Sequence, residues 1–312
     1  MVDLQYNEGA SLPPNAPAWA VSASERLKDR RDKGMLLAEG PPEGIQRILL
    51  HSCCAPCSGA MVEEMVSYKQ VEVVVFFYNP NIHPRREYEI RKEENKRFCQ
   101  DLNVEFVDCD YDADNWYERT KGMEMDPERG RRCTECFDMR MERTALYAHE
   151  NRFDAIATTN ATSRWKDSQQ VDAAGTKAVA EYEKLIYYAR NWQTDVMTLR
   201  KYQISADNKF YKQEYCGCSY SLRDSNEWRK ANGIPKIKIG GEQAGLGNRY
   251  FSDPLADALE ESQDVVDEFF HQAQEVAAAG DSKQDRKKAL ETYKDRRKNQ
   301  KEAGIEFGLN NW

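Results

Sequence analysis

The central part of the chain alternates short apolar runs with longer stretches of mixed polarity. "RILLHS", "VEVVVFFYNP", "VEFVDCDY" and "FDAIATTN" are nearly continuous runs of aliphatic and aromatic residues, and amphipathic stretches of ten or more residues separate them. Strands that are covered on both faces have this composition, and helices of that length join parallel strands. The pattern therefore predicts an α/β fold built on a doubly wound parallel sheet.

The flanks of this region have a different pattern. Residues 1–45 are rich in proline and then in charge, and they contain one short helical stretch, "SERLKDRRDKGMLLA". After Leu222 the alternation weakens, and residues 253–312 have the composition of charged helices. We therefore expect an N-terminal arm over 1–45, a central α/β domain over 46–222, and, over 223–312, a loop-rich segment followed by a charged helical C-terminal extension.

The apolar content gives no sign of a membrane segment. No run of about 18 apolar residues occurs, and the first residues lack the basic and apolar regions of a signal peptide. These features predict a cytoplasmic protein without a membrane partner. In a reducing compartment, an odd number of cysteines, here nine, is more often metal-binding or catalytic than a disulfide framework.

The net charge of −8 does not exclude binding of nucleic acid, because the acidic excess lies in residues 1–45 and 253–312. Residues 46–252 carry 32 acidic and 31 basic residues, so this region can present a basic face. The candidate phosphate-binding residues are Arg85, Arg86, Arg129, Arg131 and Arg132. For Arg85 and Arg86 the alternative is ion pairing with acidic residues along the same helix.

Seven of the nine cysteines fall into three groups, and Cys99 and Cys109 are isolated in patterns typical of the interior. The groups are Cys53, Cys54 and Cys57, then Cys133 and Cys136, then Cys216 and Cys218. The first group directly follows the first predicted strand. Ligand sites of doubly wound sheets lie at the carboxyl ends of the strands, so we expect the cysteines to gather there.

Four of these thiols could bind one metal centre. Cys53 and Cys54 with Cys133 and Cys136 provide four sulfur ligands from two stretches, which suits either zinc or an iron–sulfur cluster. Adjacent cysteines are awkward ligands for a single zinc, whereas a cluster of several irons accepts them at different corners. Cys57 is either a small interior residue or a ligand of a second metal.

Cys216 and Cys218 indicate a different chemistry. Two cysteines separated by one glycine close only a tight, strained disulfide, which is suited to redox cycling. The alternative is a pair of unconnected loop thiols. Tyr215 precedes the pair and offers a ring for stacking against a base. The candidate proton donors are His51, Tyr78, Asp110 and Asp112.

Several of these segments together resemble one family. "LLHSCCAPCS", "FFYNPNIHP", "RCTECFDMRME", "FDAIATTN" and "FYKQEYCGCSYS" are similar, in this order, to the epoxyqueuosine reductase QueH family. The resemblance covers roughly residues 46–222, and "TTNATSRWKDSQQ" departs from the family pattern in being more polar.

The resemblance implies a Rossmann-like or HUP-like fold and a cobalamin-independent oxidoreductase that reduces epoxyqueuosine at the wobble position of tRNA to queuosine. It also implies that Cys53, Cys54, Cys133 and Cys136 hold a [4Fe-4S] cluster and that Cys216 and Cys218 form a redox-active pair. If Cys57 is a ligand, as one reading of its position allows, we expect an additional iron ion there. The electron donor is not indicated. Two other functions stay open on the residues alone: a zinc-stabilised RNA-binding or scaffold protein, and a thiol–disulfide oxidoreductase.

Overall fold

The computed structural model describes residue 41 and residues 43–68, 71–163 and 166–240. Five parallel strands form one sheet in the order β3-β2-β1-β4-β5. The strands are β1 (Arg47–His51), β2 (Glu72–Phe77), β3 (Glu105–Asp108), β4 (Ala155–Thr158) and β5 (Ile186–Tyr187). The helices are α1 (Ala55–Val66), α2 (Arg85–Asp101), α3 (Ala113–Arg119), α4 (Arg131–Glu150), α5 (Ser168–Val179), α6 (Asp195–Asp207) and α7 (Ser219–Ala231), with a 3-10 turn at Thr159–Thr162.

The central strands consist of apolar residues because they are enclosed on all sides. Each pairs with a neighbouring strand on either edge, and both faces of the sheet are covered. Leu49 of β1 pairs with Val74 of β2 on one side and with Ile156 of β4 on the other, and all three side chains are buried. The sequence prediction of a doubly wound parallel sheet is confirmed. The strand order reverses between β1 and β4, so a crevice opens at the carboxyl ends of these two strands.

Helix α1 leaves β1 directly and packs closely against α6. Cys54 is its N-cap residue, and a proline stands in its first turn, where no backbone donor is needed. Gly59 allows the close approach, because a Cβ there would lie 2.9 Å from Cγ2 of Ile204. The first turn of α1 is therefore fixed at the crevice.

The domain continues beyond the position at which the alternation of the sequence weakens. Helix α7 crosses Leu222 and ends at Ala231. Beyond it, Ile237 and Ile239 are buried in one cluster with Tyr211 and Tyr215. The proposed arm, except residue 41 and residues 43–45, and the charged C-terminal extension lie outside the described residues. None of the described helices has the length and apolarity that a membrane crossing requires.

Candidate active site

Three cysteines converge where β1 meets α1. The sulfur atoms of Cys53, Cys54 and Cys57 all lie within 4.8 Å of one another, and those of Cys53 and Cys54 are 3.7 Å apart. Cys53 and Cys54 are buried and Cys57 is half-buried. Convergent thiols of this kind form a ligand set for a soft metal centre.

The electrostatics of the three thiols favour one thiolate. The pKa of Cys53 is lowered well below its usual value, first by hydrogen bonds from Cys54 and Cys57, against the effect of burial. The charge of Lys166, whose Nζ lies 4.0 Å from the Cys53 sulfur, acts in the same direction. Hydrogen bonding to Cys53 raises the pKa of Cys54 and of Cys57. These directions favour Cys53 over Cys54 and Cys57 as the thiolate of the group.

Residues after β4 complete this side of the crevice. The Thr159 hydroxyl accepts a hydrogen bond from the Cys53 amide at 3.1 Å and lies 3.5 Å from the Cys53 sulfur. Lys166 Nζ donates to Asn160 Oδ1. Sequence reasoning did not select these residues, although their place after the strand that neighbours β1 was an available signal.

Cys133 and Cys136 lie in the first two turns of α4. The Cys133 sulfur accepts a hydrogen bond from the Arg129 amide at 3.3 Å, while Gln170 of α5 donates to the carbonyl groups of Arg129 and Gly130. Burial raises the pKa of Cys133 to about 11, and the charges of Cys136 and Cys216 add to this effect. Within the described ranges, the group of thiols that lies within 4.8 Å does not include Cys133 or Cys136, so the four-cysteine ligand set stays a prediction.

The loop of Cys216, Gly217 and Cys218 is held from both sides. Arg91 donates to the Cys216 carbonyl at 2.9 Å, and the His83 amide donates to the Gly217 carbonyl at 2.8 Å. Gly217 has φ +129°, and a Cβ there would lie 2.9 Å from Nη1 of Arg91. Only glycine satisfies both requirements.

The two thiols of this loop are free and differ in exposure. Cys218 is buried at the N-cap of α7, where its sulfur accepts a hydrogen bond from the Ser221 amide at 3.3 Å. Cys216 is exposed, yet desolvation raises its pKa while the charge of Lys166 opposes the shift. Since Lys166 acts on both Cys53 and Cys216, the two thiol groups share one electrostatic environment.

The five candidate arginines occupy different environments. Arg131 has a side chain that is 75% exposed and pairs with Asp126 at 3.2 Å, and Arg129 is also exposed. Arg85 is paired with Glu89 along α2, as the helix-pairing alternative describes. Arg86 is only 9% exposed and Arg132 only 1%, so these two are not on the surface that Arg129 and Arg131 share.

Tyr215 is an interior residue in this structure. It is 8% exposed, and its hydroxyl group donates to the His83 carbonyl group. Its own carbonyl accepts a hydrogen bond from Arg91 at 3.2 Å. Tyr215 therefore positions the thiol loop, and its ring has little surface on which a base could stack.

His51 is fully buried between β4 and the end of β2. Its Nδ1 lies 2.9 Å from the Thr158 hydroxyl and its Nε2 lies 3.0 Å from the Tyr78 carbonyl. Burial, with the charge of Arg140, lowers the pKa of His51 to about 3. His51 is therefore neutral near pH 7, and as a neutral, fully paired ring it is poorly suited to proton donation.

The other proton-donor candidates lie beside a separate polar cleft of about 490 Å³. Tyr78, Asp110 and Asp112 line this cleft together with residues of α4 and α5, and no cysteine lines it. Burial raises the pKa of Tyr78 above its usual range. These groups therefore face a surface that differs from the one at the thiols.

The fold and the site together define an α/β protein with a thiol centre at the point where the strand order reverses. A family model, "Epoxyqueuosine reductase QueH", matches residues 48–224. The chain belongs to the epoxyqueuosine reductase QueH family, a family of oxidoreductases, and the resemblance found in the cysteine motifs is confirmed.

Individual relatives carry the same name. "Epoxyqueuosine reductase QueH" of Acinetobacter baylyi is 51% identical over 199 residues, which are 64% of this chain and 91% of that protein. The protein of Haemophilus influenzae is also 51% identical over 199 residues, covering 64% of this chain and 81% of that protein. The protein of Thermotoga maritima is 28% identical over 183 residues, covering 58% and 92%.

One solved structure aligns more weakly. The U34-tRNA thiolase NcsA from Methanococcus maripaludis with its [4Fe-4S] cluster gives a TM-score of 0.39 at 12% identity, covering 78% of this chain and 79% of that chain. At this TM-score the likeness supports no conclusion about the site.

Proposed function

We propose that this chain reduces epoxyqueuosine at the wobble position of tRNA to queuosine. The observation that carries the proposal is the convergence of Cys53, Cys54 and Cys57 at the crevice, in a chain of the QueH family. Membership of an enzyme family favours this function over the alternative of a zinc-stabilised RNA-binding or scaffold protein. A thiol–disulfide oxidoreductase would not need three thiols grouped at ligand distance beside a separate CGC loop.

The thiols fit an iron–sulfur centre by their chemistry. Free sulfur donors within 4.8 Å of one another, one with a lowered pKa, are soft anionic ligands. We assign Cys53, Cys54, Cys133 and Cys136 as the ligands of a [4Fe-4S] cluster and Cys57 as the ligand of a further iron ion. When bound, such a centre supplies electrons and a Lewis-acidic iron for an epoxide oxygen.

Cys216 and Cys218 supply the reducing equivalents in this proposal. The pair gives up two electrons and two protons and forms one disulfide bond. The epoxide takes them up, both of its carbon–oxygen bonds break, an alkene forms, and the oxygen leaves as water. A reductant of the thiol or reduced-flavoprotein class then restores the two thiols.

The tRNA backbone would contact the surface that carries Arg129 and Arg131. Both side chains are exposed, and the Arg129 amide donates to the Cys133 sulfur, so this surface borders the thiol site. Cationic side chains bind phosphates without sequence preference. The base at the wobble position must leave its stack to reach a crevice.

Analysis of nucleosides tests this function directly. The protein is purified without oxygen, reduced, and incubated with tRNA that carries epoxyqueuosine, and the tRNA is then hydrolysed. We expect queuosine to appear in proportion to the epoxyqueuosine lost. Unchanged epoxyqueuosine with iron-loaded, reduced protein would contradict the proposal.

A further inference from the structure

Three cations lie around the thiol site, and none of them has a carboxylate partner in the part of the chain that the structure describes. Arg132 and Arg140 of α4 are only 1% and 2% exposed, and Lys166 is half-buried after β4. Among the residues that the structure describes, no carboxylate oxygen lies within 4.0 Å of the charged nitrogens of these three. In contrast, Arg91, which is also buried, pairs with Glu87 at 2.7 Å.

Arg132 has the least satisfied charge. Its Nη1 donates to the Glu124 carbonyl at 2.9 Å, and its guanidinium group lies 4.6 Å from the centre of the Tyr220 ring. Its Nε and Nη2 are buried and have no hydrogen-bond partner among the described residues. Because a buried, unpaired cation costs several kcal/mol, a negative group is needed to complete this environment.

Arg140 and Lys166 contact the residues that carry the thiols. Arg140 Nε donates to the Cys136 carbonyl at 3.1 Å, and its Nη1 lies 3.4 Å from Asn79 Oδ1. Lys166 Nζ lies 4.0 Å from the sulfur of Cys53. Arg132 itself precedes Cys133 in the chain. The three charges therefore act on the thiols from α4 and from the segment after β4.

Burial distinguishes between the two anions that could compensate these charges. A phosphate of a nucleic acid stays at the protein surface, and side chains that are 1% to 2% exposed do not reach it. An iron–sulfur centre with four thiolate ligands carries net negative charge. It would be buried at the thiols, on which these three cations act. The geometry therefore favours an internal anion.

We propose that Arg132, Arg140 and Lys166 are positioning residues that compensate the charge of the iron–sulfur centre and raise its reduction potential. This inference rests on the centre assigned under the proposed function. One-electron reduction adds a negative charge to the centre without forming or breaking a bond to the protein. A nearby cation stabilises the state with more negative charge, so its removal lowers the potential.

The test is a reduction potential measured on the full chain, purified without oxygen and loaded with iron. A redox titration followed by electron paramagnetic resonance gives the midpoint potential. Arg132→Met and Arg140→Met should each shift the equilibrium about tenfold toward the oxidised state, which is about 59 mV for one electron. Arg132→Lys, which keeps the charge, should recover most of the shift.

Arg223 provides a matched control. It donates to the same Glu124 carbonyl at 3.0 Å and lies 5.9 Å from the Tyr220 ring, but it pairs with Asp224 at 2.7 Å. Arg223→Met should therefore leave the potential unchanged. If a buried Met variant loses its iron, Lys166→Met gives the deciding measurement, because Lys166 is only half-buried.

Two results would overturn the inference. Met variants with full iron content and the potential of the unmodified protein would show that the charges do not act on the centre. A fall in tRNA affinity at an unchanged potential would assign the cations to nucleic acid. If the unmodified protein binds no iron in the form of a cluster, the iron–sulfur centre assigned under the proposed function is wrong. This result is obtained before any variant is compared, so it is distinct from the other two.

Discussion

The ammonium group of Lys166 lies 4.0 Å from the sulfur of Cys53, across the crevice between β1 and β4. The two residues are 113 positions apart in the chain and meet only because the strand order reverses at these two strands. The contact places a fixed positive charge beside the thiol with the lowered pKa. The first group of cysteines is therefore already adapted to carry negative charge.

The four proposed cluster ligands can be separated from the other cysteines by their effect on iron. Replacing Cys53, Cys54, Cys133 or Cys136 by Ala should reduce both bound iron and turnover to a small fraction. Cys99→Ala is the control, because Cys99 is a buried thiol, at 1% exposure, near the carboxyl end of α2 and away from the crevice. Iron analysis and visible absorption after anaerobic purification measure the result. Full iron content in the Cys133→Ala protein would contradict the assignment.

The CGC pair should affect turnover but not metal content. The Cys216→Ser, Cys218→Ser double variant should keep its iron spectrum, since neither thiol belongs to the group within 4.8 Å. Turnover should be lost if the pair delivers the two electrons, because serine hydroxyl groups cannot form a disulfide bond. Single-turnover nucleoside analysis and thiol trapping measure both effects. Loss of iron in the double variant would move the pair into the metal site.

Gly217 should be the least replaceable residue of that loop. Gly217→Ala should destabilise the protein by about 1–3 kcal/mol, because alanine meets Arg91 and adopts φ +129° at a cost. Gly233→Ala is the control: its φ is +69°, and no atom lies within 4 Å of a Cβ there. Urea unfolding compares the two variants. Equal losses would mean that the contact with Arg91 is unimportant.

Arg129 and Arg131 should contribute to tRNA affinity through charge. The double Gln variant should bind tRNA more weakly, and the slope of log affinity against log salt should become shallower by about one to two. Arg152→Gln, a change at an exposed residue next to the carboxyl end of α4, serves as the control. Binding is measured at several salt concentrations. An unchanged slope in the double variant would remove this surface from the interface.

His83 should make the protein sensitive to acid. Burial lowers its pKa to about 3, whereas the unfolded chain binds a proton near pH 6.5, so the free energy of unfolding decreases as the pH falls below 6.5. By pH 4.5 this effect amounts to about 2–3 kcal/mol. His83→Phe should remove this contribution, while the contribution of His51, whose pKa burial also lowers to about 3, remains in both proteins.

Urea unfolding of both proteins from pH 7 to pH 4.5 gives the comparison for His83. The variant should lose the Nδ1 contact with Tyr111, whose hydroxyl keeps its bond to the Ile82 carbonyl at 2.7 Å. The ring contacts with Trp116 and Tyr117 suit a phenyl group. Parallel pH profiles for the two proteins would show that His83 does not govern the acid response.

Local sequence pattern was sufficient to predict the sheet and the position of the first cysteines. Continuous apolar runs and helical spacing determine a parallel sheet, and in such a sheet a residue directly after β1 must lie at the carboxyl edge. The convergence of Cys53, Cys54 and Cys57 follows from that rule together with the first turn of α1.

The environments of charged residues could not be predicted in the same way. Arg131 and Arg132 are neighbours in a basic run, but one side chain is 75% exposed and the other residue 1%. The difference arises because the first turn of α4 directs Arg132 toward Tyr220, a residue 88 positions later. Its burial depends on α7 packing there, which no local pattern records.

The contacts that hold the CGC loop span most of the domain. Arg91 donates to the carbonyl groups of Tyr215 and Cys216, which are 124 and 125 positions away, and Tyr215 reaches back 132 positions to His83. A growing polypeptide that has not yet reached Tyr215 therefore lacks these acceptors, and of the contacts described for Arg91 only the ion pair with Glu87, four positions earlier on α2, is then available. The ion pair within α2 can thus form before the loop that Arg91 holds has been made.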